Sequence, residues 1–163
     1  MLGTFPDLKV IWVDAHGDLT DPSESSYPHY HGKPLAHILG LCDGKLPGFS
    51  WMSRRLKPEN VVHIGMRDID ADEWQTLRDS KIKVFTPDHI DDIGIGAVMK
   101  QAIEHLDPEG KHPFHISFDI DALDPQYCSS TGTKYRGGLT PREANFIVRK
   151  TAFARKLVSM DLV

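Results

Sequence analysis

The chain has 163 residues, 40% of them hydrophobic and 26% charged, with a formal net charge of −4. That length makes one domain, which on folding would bury roughly 70% of the surface its unfolded chain exposes. The mildly acidic balance offers no basic face to nucleic acid, and no apolar run approaches the ~20 residues needed to span a bilayer.

The N-terminus, MLGTFPDLKVIW, lacks the basic start and unbroken apolar stretch of a secretory signal, so a cytoplasmic protein is expected. Cys42 and Cys128 lack CxxC spacing and read as reduced structural thiols, not as metal ligands or a disulfide framework.

In chain order, five segments rich in β-branched residues predict strands: LKVIWVDAH, ENVVHIGMRD, KIKVFTP, HISFDIDA and LVSMDLV. Between them, apolar positions recurring every three to four residues predict helices over 70–79, 95–106 and 141–153. Thr140, followed by Pro141 and by Glu143 three places on, predicts a capped start for the last of these. TDPSESSYPHYHG reads as a functional-length loop. Alternating strands and helices imply an α/β fold, a mostly parallel sheet flanked by helices, with residues 1–163 as one domain. The chain opens almost directly on one strand and stops inside another, so it is expected to be a fragment, truncated at both ends.

Two clusters carry the chemistry. In an extended strand alternate side chains share a face, so Asp14, His16 and Asp18 of VDAHGDL are expected to point the same way. Asp119 and Asp121 of SFDIDALDP repeat the device after the apolar HISF. Both clusters follow a predicted parallel strand, and open α/β sheets bind ligands at their carboxyl ends. Acidic residues at a strand end are usually solvated turn formers. Several carboxylates brought together, however, repel one another unless cations offset the charge.

Oxygen donors with one imidazole and no thiolate favour a hard or borderline divalent ion such as Mn²⁺. Two such ions would lower the pKa of a shared water enough to make a hydroxide nucleophile, able to attack a carbonyl, amidine or guanidinium carbon. His31 is a candidate to carry a proton to the leaving amine, since an imidazole titrates near neutral pH. The other reading, a surface histidine in a loop that also holds His29, stays equally open on the segment alone.

These residues, in this order, resemble the arginase/agmatinase (ureohydrolase) family over nearly the whole chain. VIWVDAHGDL is similar to the family's Asp-x-His-x-Asp metal motif and SFDIDALDP to its second metal motif, while HGKP resembles the segment with its catalytic histidine, here His31. PGFSW, HIGMRDID, GIGAVM and TGTKYRGGLTPRE extend the likeness.

The resemblance implies a three-layer arginase-type fold and two Mn²⁺ ions whose bridging hydroxide converts L-arginine to L-ornithine and urea. By the same correspondence Asp14 and Asp119 bridge the ions, Asp18 binds the first, and His16 and Asp121 bind the second. Asp70 holds the substrate α-amino group and Glu73 supports it. Where arginases place Asn, Ser and Asn around the amino-acid carboxylate, this chain has Thr20, Tyr27 and His29. Thr20, Ser25 and His29 can still donate hydrogen bonds there.

A metal-binding histidine on an upstream strand and a guanidinium-binding glutamate after LVSMDLV lie outside the 163 residues, so weak or no turnover is expected of this chain by itself. The resemblance further implies a homotrimer for the full-length protein, in the cytoplasm or a mitochondrion. An agmatinase or guanidinobutyrase would share the metal motifs without needing Asp70. A non-catalytic arginase-like protein is the rival outside the enzymes.

Overall fold

The computed structural model describes residues 1–20, 30–41, 48–49, 51–53, 55–154 and 156–163. Five strands run β1 (Lys9–Val13), β2 (Val61–Ile64), β3 (Lys83–Phe85), β4 (Pro113–Phe118) and β5 (Lys156–Leu162). They form one sheet in the order β3-β2-β1-β4-β5, and every pairing is parallel. Parallel neighbours need crossovers, supplied here by α1 (Pro34–Leu39), α2 (Ala71–Asp79), α3 (Pro87–Leu106) and α4 (Pro141–Ala154).

The crossovers make three layers. On one face Ile11, Val13, Val62, Ile64, Phe114 and Ile116 pack against Val98, Met99 and Ala102 of α3 and Ile147 of α4. On the other, Val10, Trp12 and Val61 meet Leu35, Ala36 and Leu39 of α1 and Leu77 of α2. With both faces covered, the central strands read as continuous apolar runs. Each fully buried Ile or Val contributes about 1.5–3 kcal/mol. Among the described residues no helix is long and apolar enough to cross a membrane.

The predicted α/β architecture and all five strands are present, shorter than expected at most ends. The helix expected over 95–106 starts at Pro87, because Thr86 and His89 form a capping box and Gly94 (φ 77°, ψ 152°) interrupts the spiral without ending it. Apolar periodicity registers only the part after that kink. The expected cap of α4 is present: the Thr140 amide and hydroxyl both donate to Glu143 Oε2 at 2.8 Å, and the Glu143 amide donates back to Thr140 Oγ1.

α1 was not expected. It is six residues long and Lys33, at its N-cap, makes no side-chain cap. Most of the TDPSESSYPHYHG loop lies outside the described residues, and its end, Tyr30–Gly32, is a 3₁₀ turn.

Candidate metal centre and active-site cavity

β1, β2 and β4 end side by side, and beyond their carboxyl ends opens a cavity of about 310 Å³. Asp14, His16, Asp18, Asp119 and Asp121 all line it. They do not arrive there on extended strands, as the spacing-two reading expected. β1 stops at Val13, and Asp18 takes a left-handed conformation (φ 54°) that folds the DAHGD segment back. After β4, Asp119 caps the 3₁₀ turn Ile120–Ala122 by accepting the Asp121 amide at 2.8 Å. Two tight turns therefore produce the convergence that alternation alone would not.

Close approach fixes the turn after β2 as well. Gly65 (φ +99°) sits where a Cβ would lie 3.2 Å from the Asp14 carbonyl, so the backbones of β1 and β2 meet directly beneath the site.

At the centre is His16. Its Nδ1 lies 3.0 Å from Asp121 Oδ2 and 3.4 Å from Asp14 Oδ1. Its Nε2 faces Asp68 Oδ2 at 3.4 Å. Among the described residues, Asp14, His16 and Asp121 form a group whose ligand atoms all lie within 4.8 Å of one another. The two carboxylates are also held by main-chain and indole donors. The Trp12 indole N–H donates to Asp14 Oδ2 at 3.3 Å, the His16 amide to Asp14 Oδ1 at 2.8 Å, and the Ala15 amide to Asp121 Oδ1 at 3.2 Å.

The electrostatics are those of a site short of positive charge. Hydrogen bonds to Asp121 and then Asp14 raise the His16 pKa to about 10. Burial, reinforced by the Asp14 charge, pushes Asp18 well above the usual carboxylate range. Burial likewise lifts Asp119 to about 7. Asp121 goes the other way: burial raises it, but the His16 hydrogen bond and charge outweigh that and bring it down. A donor set of carboxylate oxygens and one imidazole, with a proton on His16 as the existing counter-charge, fits a hard or borderline divalent cation.

The expected substrate residues divide. Thr20, His31, Asp70 and Glu73 line the same cavity. Ser25, Tyr27 and His29 lie outside the described residues. His31 is exposed on the Tyr30–Gly32 turn, which the Thr20 amide ties to the Asp18 segment by donating to the Gly32 carbonyl at 3.3 Å. Asp70 caps α2 in a capping box with Glu73.

Glu73, buried, accepts from the Leu19 amide (2.9 Å), the Thr20 hydroxyl (3.2 Å) and the Asp70 amide (3.2 Å). It joins the segment after β1 to the start of α2, and burial raises its pKa despite those bonds. Sequence reasoning gave no role to Asp68 or to Thr131–Thr133, which also line the cavity. The HIGMRDID and TGTKYRGG segments that contain them stood out as similarities, but spacing carries no sign of what they face.

Compared with known proteins, residues 2–163 match the model of the arginase family. The chain belongs to that family. An arginase of Glaciozyma antarctica (strain PI12) is 46% identical over 99% of this chain and 48% of its own length. Human Arginase-1 is 39% identical over 97% of this chain and 50% of its own. Among solved structures, the native arginase of Bacillus caldovelox at pH 5.6 superposes with a TM-score of 0.92 at 36% identity, covering 100% of this chain and 54% of that one. The chain thus spans about half the length of the curated arginases it matches. The expected family and the arginase-type fold are borne out.

Proposed function

We infer that the whole protein hydrolyses the guanidinium group of L-arginine to L-ornithine and urea with two Mn²⁺ ions. The observation that carries this reading is the meeting, in one cavity, of the Asp14–His16–Asp121 group with Asp18, Asp119, Asp70 and His31. Relatives at 39–46% identity named as arginases support it. When bound, the ions supply an activated water as nucleophile and polarise what it attacks.

His16 and Asp121 would hold one ion and Asp18 the other, with Asp14 and Asp119 available to both. Glu73 ties Thr20 and Asp70 together through one carboxylate, and Asp70, lining the cavity, is set to receive the α-amino group of a small amino acid. His31, exposed on the cavity rim, carries a proton to the departing amine nitrogen. An agmatine-type substrate has no α-amino group for Asp70 to receive.

The test is urea release from L-arginine by the whole protein, stripped with EDTA and reloaded with Mn²⁺, with agmatine in parallel. Metal-dependent, arginine-selective urea is expected. A protein carrying two Mn²⁺ that releases none, or that prefers agmatine, overturns the reading.

A further inference from the structure

Arg67 follows β2 and is half-buried. Among the described residues its guanidinium donates to main-chain carbonyls, and those carbonyls lie on three separate segments. Nη1 reaches Gly65 O (3.2 Å), on its own turn, and Ala122 O (3.4 Å). Nη2 reaches Asp121 O at 2.8 Å and Tyr135 O at 2.7 Å, and Nε reaches Arg136 O at 3.3 Å.

One of these segments carries the Asp121 carboxylate, which sits 3.0 Å from His16 Nδ1. Another is the return of the loop whose Thr131 and Thr133 wall the cavity. The loop is pinned again a few residues on, where Asp124 Oδ2 accepts the amides of Gly137 (2.7 Å) and Gly138 (3.3 Å). Space there is exhausted: a Cβ on Gly138 would stand 2.6 Å from Arg67 Nη2 and 2.6 Å from the Asp124 nitrogen.

We propose that Arg67 is a positioning residue that couples the backbone of the metal ligand Asp121 to the substrate-facing wall at Thr131–Thr133. A planar fork with five N–H donors spreads across three segments at once, whereas a lysine ammonium has three donors on a single nitrogen and cannot reproduce that spread. The strut matters because both things it holds must be placed finely. A ligand or wall displaced by about 1 Å can cost 10²-fold in rate, and loss of a group that orients a metal ligand typically weakens metal binding 10–100-fold. The proposal rests on the reading of Asp121 as a metal ligand, so its test has an arm that does not depend on metal.

Arg67→Lys and, separately, Gly138→Ala are introduced into the whole protein. Amide hydrogen exchange is followed across residues 119–124 and 131–138 with α3 as internal reference, and Mn²⁺ binding is titrated by the EPR signal of the free ion. Both variants are expected to exchange at least about tenfold faster in the two named segments with α3 unchanged, and to bind Mn²⁺ about tenfold more weakly. Wild-type exchange in those segments, or equal acceleration through α3, overturns the strut. Faster local exchange with Mn²⁺ affinity unchanged overturns the coupling. A wild-type protein that takes up no Mn²⁺ sinks the ligand reading of Asp121, and with it the coupling, while the exchange arm still decides whether Arg67 ties the segments together.

Discussion

His63 stands on β2 in register with Trp12 of β1 and Val84 of β3, fully buried at 0% exposure. The His16 backbone lies close enough to act against the effect of burial, but neither ring nitrogen makes a hydrogen bond of good geometry among the described residues. Burial disfavours the imidazolium and lowers its pKa from 6.5 to about 4. As pH falls, the unfolded chain takes up this proton first. The stability that depends on a neutral His63 is therefore complete above about 6.5 and drains away between there and about 4.

That separation, at about 1.36 kcal/mol per pKa unit, comes to about 3 kcal/mol, a large share of the ~5–15 kcal/mol that holds a domain folded. The perturbation is His63→Leu in the whole protein, and the assay is urea unfolding with EDTA at a series of pH values from 7 to 4. His16 and the carboxylates titrate in both proteins, so most of their own contribution cancels in the difference, which reports His63 together with its coupling to Asp14, His16 and Asp121. At pH 7 the variant should be at least as stable, since an unpartnered buried polar atom costs about 1–3 kcal/mol. Its advantage should then grow by most of 3 kcal/mol by pH 4. A difference that stays flat across that range would refute the reasoning.

Two further outcomes follow from the site. Asp68→Asn removes the charge facing His16 Nε2 and should weaken Mn²⁺ binding by about 10–100-fold, read by calorimetric titration; an unchanged affinity would mean that Asp68 does not orient the imidazole. His31→Ala should lower urea turnover by about 10²–10⁴-fold with the Mn²⁺ stoichiometry intact, and a variant that lost both together would place His31 in the metal site instead.

What could be read in advance was whatever depends on residue type and short spacing. β-branched runs marked the strands, and two motifs with potential ligands two apart, Asp14-His16-Asp18 and Asp119-Asp121, marked the candidate metal centre. Thr140 and Glu143 showed the start of α4 because the whole cap lies within four residues. The missing parts are those made by tertiary contact. Asp68 reaches His16 through an isolated parallel bridge between the two residues, a pairing with no periodic trace. Arg67 acts entirely on carbonyls 2 to 69 residues away. The extended-strand picture of Asp14, His16 and Asp18 reached the right grouping by the wrong geometry, because a left-handed aspartate does not show in composition.

That left-handed aspartate bears on why the site is built as it is. A non-glycine residue in this region costs of order 1–3 kcal/mol and persists only when its surroundings over-determine it. Asp18 is held there by the Ala36 amide, which donates to its carbonyl at 2.9 Å from the first turn of α1. Burial then raises the pKa of Asp18 further, and Asp119 and Glu73 share the same burden. Neutralising Asp18 or Asp119 would ease the fold in the absence of a cation. The folded chain keeps them together by fixing each from behind, with Trp12 on Asp14, the Ala15 amide on Asp121 and the Leu19 amide on Glu73. Strain and like-charge repulsion gathered on one wall, with the ligand orientations already set, is the arrangement a divalent cation relieves most. The donors need not reorganise when it arrives, so the relief appears as affinity.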